Sequence, residues 1–137
     1  MIFLLDSNAC IAIINKTASP PFQASFNRAI RKGERLYVPS ITVHELWFGV
    51  AKSRQVHVNA FNLTQFLKHP FEVLNFDSKD AQIAGEIRAA LAQRGTPIGP
   101  YDVLIAGQAL ARGLTLVTAN IREFSRVKGL KLADWTQ

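Results

Sequence analysis

The sequence has little cysteine, few acidic residues and no long apolar run. Its single cysteine, Cys10, cannot form an internal disulfide, which favours a reducing compartment. The longest uninterrupted apolar run, Ala9 to Ile14, is far shorter than the roughly 18 residues that a membrane-spanning helix needs. No basic segment precedes the apolar residues at the N-terminus, and Asp6 interrupts them too early for a secretory signal. These absences predict a cytoplasmic protein with no membrane partner.

The charge balance points to an anionic partner. The chain has 137 residues, of which 16 are basic and 10 are acidic, so its net charge is +6. Apolar residues make up 48% and charged residues 19%, which is typical of a globular protein, and the length predicts one domain spanning residues 1–137. The basic excess favours nucleic acid as the partner. Four cations cluster at Arg28, Arg31, Lys32 and Arg35. They either balance a helix C-terminus or contact RNA.

The hydrophobic pattern alternates between strands and helices. A short apolar run that ends at Asp6 is typical of a strand buried on both faces, as in the middle of a parallel sheet. Further strands are predicted at 35–39, 71–76 and 114–118. Helices are predicted at 8–15, 21–32, 40–50, 56–69, from Ser78 to just before Gly95, and at 101–112. This order indicates one α/β domain with a largely parallel sheet and helices on both faces.

Four polar residues follow the predicted strands or begin the next helices: Asp6, Glu45, Asp102 and Asn120, the last with Glu123 nearby. Each position also has a purely structural explanation. Asp6 suits a helix N-cap, Glu45 stands in capping-box spacing with Thr42, and an acid in the first turn of the helix after Gly99 complements the helix dipole. However, strand ends and helix starts share one edge of a parallel sheet. We therefore expect these side chains to lie close together.

Carboxylates gathered at one edge would raise one another's pKa values unless a cation were present. Oxygen ligands without cysteine or histidine suit Mg²⁺, with Mn²⁺ able to substitute. Such an ion can bind a phosphate oxygen and activate water. In a basic protein, this combination predicts metal-assisted cleavage of a phosphodiester.

Five segments, taken in order, carry a resemblance to a known family. They begin with the strand that ends at Asp6 and finish with the segment after the fourth strand. The segments are Leu4–Asn8, Ser40–Leu46 with Gly49, Ile87-Arg88 with Gly95, Ile98–Ala106, and Leu116–Asn120 with Arg122–Phe124, Arg126-Val127 and Gly129-Leu130. On these segments the chain resembles PIN-domain ribonucleases of the VapC type, the toxins of bacterial toxin–antitoxin pairs. Within that family it is most similar to the branch that cuts initiator tRNA in its anticodon loop.

The resemblance implies a three-layer PIN-like fold with a mostly parallel, twisted sheet of four to five strands. It also implies a Mg²⁺-dependent endoribonuclease, a cognate antitoxin and a homodimer. Asp6, Glu45 and Asp102 would form the acidic, metal-binding cluster. Asn120 stands where the broader family has a fourth acid.

Two alternatives from other classes remain open. The first is a catalytically silent RNA-binding module, which the presence of all three acids disfavours. The second is a phosphoacceptor receiver domain, which would need a lysine after a late strand. The fourth predicted strand instead leads into Thr118, Ala119 and Asn120.

Overall fold

The N-terminal apolar run forms the central strand of a five-stranded sheet. The structure is a computed structural model that describes residues 1–137. The strands lie in the order β3-β2-β1-β4-β5, and every neighbouring pair is parallel. The elements in chain order are β1 (Ile2–Leu5), α1 (Ser7–Ile14), α2 (Pro20–Arg31), β2 (Arg35–Pro39), α3 (Ser40–Ala51), α4 (Val56–Phe66), β3 (Phe71–Leu74), α5 (Ser78–Gln93), α6 (Pro100–Arg112), β4 (Thr115–Val117), α7 (Ile121–Phe124) and β5 (Lys131–Ala133).

Helices cover both faces of this sheet because β1 is apolar on both sides. Successive side chains of a strand point to opposite faces. Phe3 and Leu5 therefore enter one core, which they share with residues of α1 to α4. Leu4 enters a second core, formed largely by α5 and α6. The resulting three layers confirm the predicted α/β architecture.

The structure differs from the sequence prediction at several element ends. Helix α2 begins at Pro20 because the Ser19 hydroxyl accepts a hydrogen bond from the Phe22 amide and caps the helix. Strand β3 ends at Leu74, two residues earlier than predicted. At this point the Gln108 side-chain amide donates hydrogen bonds to the carbonyl oxygens of Leu74 and Asn75. Residues after β4 form the short helix α7 and a fifth strand. None of the helices has the length and apolar character needed to cross a membrane.

The strand order places a crevice beside β1. The chain passes from β1 outwards through β2 to β3, and then returns to the other side of β1 to form β4 and β5. Ligands of open parallel sheets bind beyond the carboxyl ends of the strands, at the point where the order reverses. Here that point lies between the ends of β1 and β4. Asp6 follows one of these strands, and Asn120 lies shortly after the other.

Candidate active site

Asp6 lies at the carboxyl end of the central strand and is almost fully buried, with 5% of its surface exposed. Its Oδ1 accepts a hydrogen bond from the Ala9 amide at 2.8 Å, so the predicted capping role is confirmed. Burial raises the pKa of this carboxyl and the charge of Glu45 raises it further, whereas hydrogen bonds from Thr118 and Ala9 oppose the shift. Asp6 therefore caps α1 and also faces a second carboxylate.

Glu45 is held by a neighbouring helix and does not cap its own. The predicted capping box with Thr42 is wrong, since α3 begins at Ser40 after Pro39 and has no side-chain cap. The Ser7 hydroxyl instead donates to Glu45 Oε1 at 2.7 Å and lies 3.1 Å from the buried Thr42 hydroxyl. This contact joins α1 to α3. It directs the Glu45 carboxylate towards the residue next to Asp6.

Asp102 lies close enough to three other carboxylates for their charges to raise its pKa. It lies in the first turn of α6, as predicted. A Cβ built on Gly99 would lie only 3.0 Å from Asp102 Oδ2, so glycine there makes room for the folded-back carboxyl. Burial raises the pKa of Asp102 to about 6, and the charges of Glu123, Asp6 and Glu45 add to the shift in that order. The three predicted acids thus act on one another in the folded chain.

Asn120 and Glu123 complete this edge of the sheet. The Asn120 backbone amide donates to the Thr118 hydroxyl, and its side-chain amide donates to Glu123 Oε2. Among the charged neighbours of Asp102, Glu123 has the largest effect on its pKa. Glu123 follows the fourth predicted strand, but the sequence pattern led us to assign only Asn120 to the site. The three-residue spacing between them, which puts both side chains on one face of a helical turn, was the available signal.

The donor set fits a hard divalent cation. Four carboxylates and one amide lie along this edge of the sheet, and oxygen donors of this kind are the ligands that Mg²⁺ and Mn²⁺ prefer. Their mutual effect on the pKa of Asp102 is the repulsion that a cation would relieve. As arranged, no three His, Cys, Asp or Glu side chains stand close enough to share one ion. Asp6, Glu45 and Glu123 are each turned towards a hydrogen-bond donor of the protein.

The cations of the α2 C-terminus lie away from this cluster. Arg28 and Arg31 occupy the last turn of α2, and Arg35 begins β2. The start of β2 is at the amino edge of the sheet, whereas the acids lie at the carboxyl edge. These cations are therefore placed to complement their helix end, and they do not line the acidic cluster.

Comparison with known proteins agrees with the fold. The family model described as "PIN domain" matches residues 3–130. The tRNA(fMet)-specific endonuclease VapC of Salmonella typhimurium is 42% identical over 133 residues, which cover 97% of each chain. Ribonuclease VapC2 of Rickettsia felis is 38% identical over 98% of each chain. The crystal structure of VapBC2 from Rickettsia felis, bound to a promoter DNA fragment, superimposes with a TM-score of 0.89 over 98% of this chain and 99% of the other, at 37% identity.

The chain belongs to the PIN-domain family, in its branch of VapC ribonuclease toxins. Its activity is the cleavage of RNA, and ribonucleases of this family depend on a metal ion. The fold and the family predicted from the sequence are both confirmed.

Proposed function

We propose that this toxin cuts initiator tRNA in the anticodon loop with the help of Mg²⁺, which Mn²⁺ can replace. Asp6, Glu45 and Asp102 bind the ion, and Asn120 completes the catalytic site. One observation carries the assignment of the site: the pKa of Asp102 is raised to about 6 by burial and by three neighbouring carboxylates. Such a concentration of like charge at a strand-end crevice is typical of a functional site.

The substrate assignment is supported by similar proteins. Relatives from Salmonella typhimurium and Shigella flexneri, 42% and 41% identical to this chain, are named as tRNA(fMet)-specific endonucleases. The net charge of +6 favours an RNA substrate. Blocking the initiator tRNA would stop translation in the cytoplasm, which is where we propose that the protein acts.

The protein side chains divide the work at the site. A bound Mg²⁺ would neutralise charge on the phosphate and lower the pKa of a water molecule. Asp6, which follows β1 and caps α1, and Asp102, in the first turn of α6, would hold the ion. Ser7 orients the Glu45 carboxylate through the 2.7 Å hydrogen bond, and Glu45 would contact the ion directly or through water. Asn120 holds the Glu123 carboxylate in place.

The expected protein partner is a cognate antitoxin, and an apolar groove beside Glu45 suits it. The groove runs between α1, α3 and α4, and its apolar lining comprises Ile11, Ile14, Leu46, Val50 and Leu63. An amphipathic helix can place its apolar face in such a groove. A basic side chain on that helix would then reach the acids. Related structures are toxin–antitoxin complexes from Rickettsia felis and Salmonella typhimurium.

We also propose that the toxin is a homodimer, as the resemblance implies.

Cleavage of total tRNA tests this proposal. The purified protein is incubated with tRNA in the presence of Mg²⁺, Mn²⁺ or EDTA, and the fragment ends are mapped by sequencing. We expect one dominant cut in the anticodon loop of initiator tRNA with either metal and none with EDTA. Equal cutting of elongator tRNAs would contradict the substrate assignment. RNA binding without any cleavage would instead favour the silent RNA-binding module.

A further inference from the structure

A second groove also borders Glu45, and its lining differs from that of the apolar groove. It has a volume of about 590 Å³ and runs between α1, α3 and the first turn of α6. We call it the aromatic groove and define it by Ser7, Asn8, His44, Phe48, Lys52 and Tyr101. Ser7, His44 and Tyr101 are the immediate chain neighbours of Asp6, Glu45 and Asp102. The groove is therefore continuous with the acidic cluster.

One side of the aromatic groove is a helical stripe. His44 and Phe48 on α3 and Lys52 at its C-cap are spaced four residues apart, so they lie on one side of the helix. The Phe48 ring is 61% exposed, and the Lys52 ammonium lies 4.9 Å from its centroid. At the acid end, the His44 ring lies 5.8 Å from that of Tyr101, which is 45% exposed. The stripe thus combines exposed ring faces with a cation.

A glycine lowers the ridge that separates the two grooves. Gly49 lines both of them, and a Cβ built on it would meet no atom within 4 Å. Packing within this chain therefore does not require glycine at this position. Glycine is a poor residue for a helix interior, since only proline is less favourable there. Its presence keeps the surface beside Glu45 open to an occupant of the grooves.

The two grooves suit occupants of different chemistry. The apolar groove is lined by aliphatic side chains and asparagines and has no cation or aromatic ring, which favours a protein helix. The aromatic groove shares Ile11, Glu45, Leu46 and Gly49 with the apolar groove, and it adds three aromatic or imidazole rings, a lysine and two polar side chains of α1. Proteins bind single-stranded nucleic acid with this same combination, in which bases stack on rings and cations contact the backbone.

We propose that the aromatic groove binds an unpaired nucleotide of the RNA next to the phosphate that is cut. The base stacks on Tyr101 or Phe48, and the Lys52 ammonium contacts a flanking phosphate. This inference rests on the proposed function, since it places the RNA on the acidic cluster. The inference adds a requirement for the RNA substrate, because the cleaved phosphate must lie next to nucleotides that are unpaired and can unstack from the RNA helix. A loop meets that requirement and a paired stem does not.

RNA binding by an inactivated protein tests the subsite directly. A fluorescein-labelled single-stranded RNA with the sequence of the initiator tRNA anticodon loop is titrated with Asp6→Asn protein in Mg²⁺, and binding is followed by anisotropy. Adding Tyr101→Ala, Phe48→Ala or Lys52→Ala should raise Kd by on the order of tenfold each. Matched controls are Phe61→Ala and Lys79→Ala, which remove an exposed ring and an exposed cation outside the groove. The controls should leave Kd unchanged.

A second measurement separates base stacking from nonspecific RNA binding. An RNA with an abasic site beside the cleaved phosphate should bind more weakly to Asp6→Asn protein. The affinity for this abasic RNA should fall little further when Tyr101 and Phe48 are both changed to alanine. If the abasic site and the two alanine substitutions lower the RNA affinity additively, the stacking assignment is wrong. Unchanged RNA affinity together with lost antitoxin binding in the groove variants would overturn the proposal and assign the groove to the protein partner.

The same variants in the active protein distinguish the subsite from the proposed function. In the active protein, the groove variants should raise KM for tRNA more than they lower kcat. If the unaltered protein cuts initiator tRNA and the groove variants cut it with unchanged KM, only the subsite is wrong. If the unaltered protein cuts no tRNA, the proposed function fails, and the binding titration still decides the subsite.

Discussion

The Asn120 side-chain amide donates a hydrogen bond to the Glu123 carboxylate, and Glu123 in turn is the charged neighbour that most affects Asp102. Asn120 therefore acts on the acidic cluster through a fourth acid. Asn120 is neutral where the resemblance implies a fourth acid, but the Glu123 carboxylate supplies a fourth negative charge to the site. Asn120 fixes this carboxylate, which lies three residues further along the chain.

Removing the charge of Glu123 should make Asp102 more acidic and weaken metal binding. Glu123→Gln eliminates the largest charge effect on Asp102, so the pKa of Asp102 should fall from about 6 towards its ordinary value. Carboxyl resonances followed by NMR during a pH titration of metal-free protein measure this shift. Calorimetry with Mn²⁺ should show weaker binding. Glu86→Gln, on the exposed face of α5, is the control and should change neither result.

The stability of the metal-free protein should fall as the pH rises from about 4 to above 6. The folded protein binds the Asp102 proton with a pKa of about 6, whereas the unfolded chain binds it with a pKa of about 3.9. The folded state therefore holds more protons within this window, and raising the pH favours unfolding. Asp6 adds a shift of the same sign.

Asp102→Asn should flatten this pH dependence. It should also stabilise the metal-free protein at pH 7.5 by about 1–2 kcal/mol, a value discounted for the partial exposure of the carboxyl. Urea unfolding in EDTA at several pH values measures both effects. A parallel pH dependence in the two proteins would show that Asp102 is not the group responsible.

Two glycines of the α5–α6 pair should respond oppositely to alanine. A Cβ on Gly107 would lie 2.5 Å from the Ala84 Cβ and 2.8 Å from the Ala84 backbone nitrogen, so Gly107→Ala should destabilise by about 1–3 kcal/mol. A Cβ on Gly85 would meet nothing within 4 Å, so Gly85→Ala should stabilise by about 0.5–1 kcal/mol. Chemical denaturation measures both. A stabilising Gly107→Ala would contradict the close approach of the two helices.

The ion pair of Arg112 with Asp80 should contribute far more to stability than a surface pair. Arg112 donates to both oxygens of Asp80, which is 1% exposed, at 3.2 and 2.9 Å. Arg112→Met leaves this buried carboxylate without its cation and should destabilise by about 3 kcal/mol. The exposed pair of Arg35 and Glu72 is the control, and Arg35→Met should cost less than about 1 kcal/mol. Equal losses would mean that burial of Asp80 does not matter.

The fold was largely predictable because its signals are local. The apolar run before Asp6 and the strand that begins at Arg35 follow from residue order alone, and Gly113 ends α6 in the left-handed conformation, as helix-closing glycines do. The fifth strand was harder to predict. Its three residues, Lys131–Ala133, form a strand only because β4 offers them an edge to pair with.

The site was predictable in outline and not in its contacts. That Asp6 and Asp102 share an edge follows from parallel topology. That Glu45 bonds to Ser7 rather than capping α3 depends on how α1 packs against α3, which the sequence pattern does not encode. The role of Glu123 was missed for a similar reason. The three-residue spacing pairs Glu123 with Asn120, but the effect of Glu123 on Asp102 depends on their distance in the folded chain.

We propose that the carboxylates at this edge of the sheet perform the cleavage. The most direct test compares the rate of initiator tRNA cleavage at saturating Mg²⁺ by the unaltered protein and by Asp102→Asn, with Glu72→Gln as an exposed acidic control. We predict a loss of about 10³-fold for Asp102→Asn, with a thermal unfolding midpoint at least as high as before, and no loss for the control. A folded Asp102→Asn protein that cuts the tRNA at nearly the original rate would contradict the account.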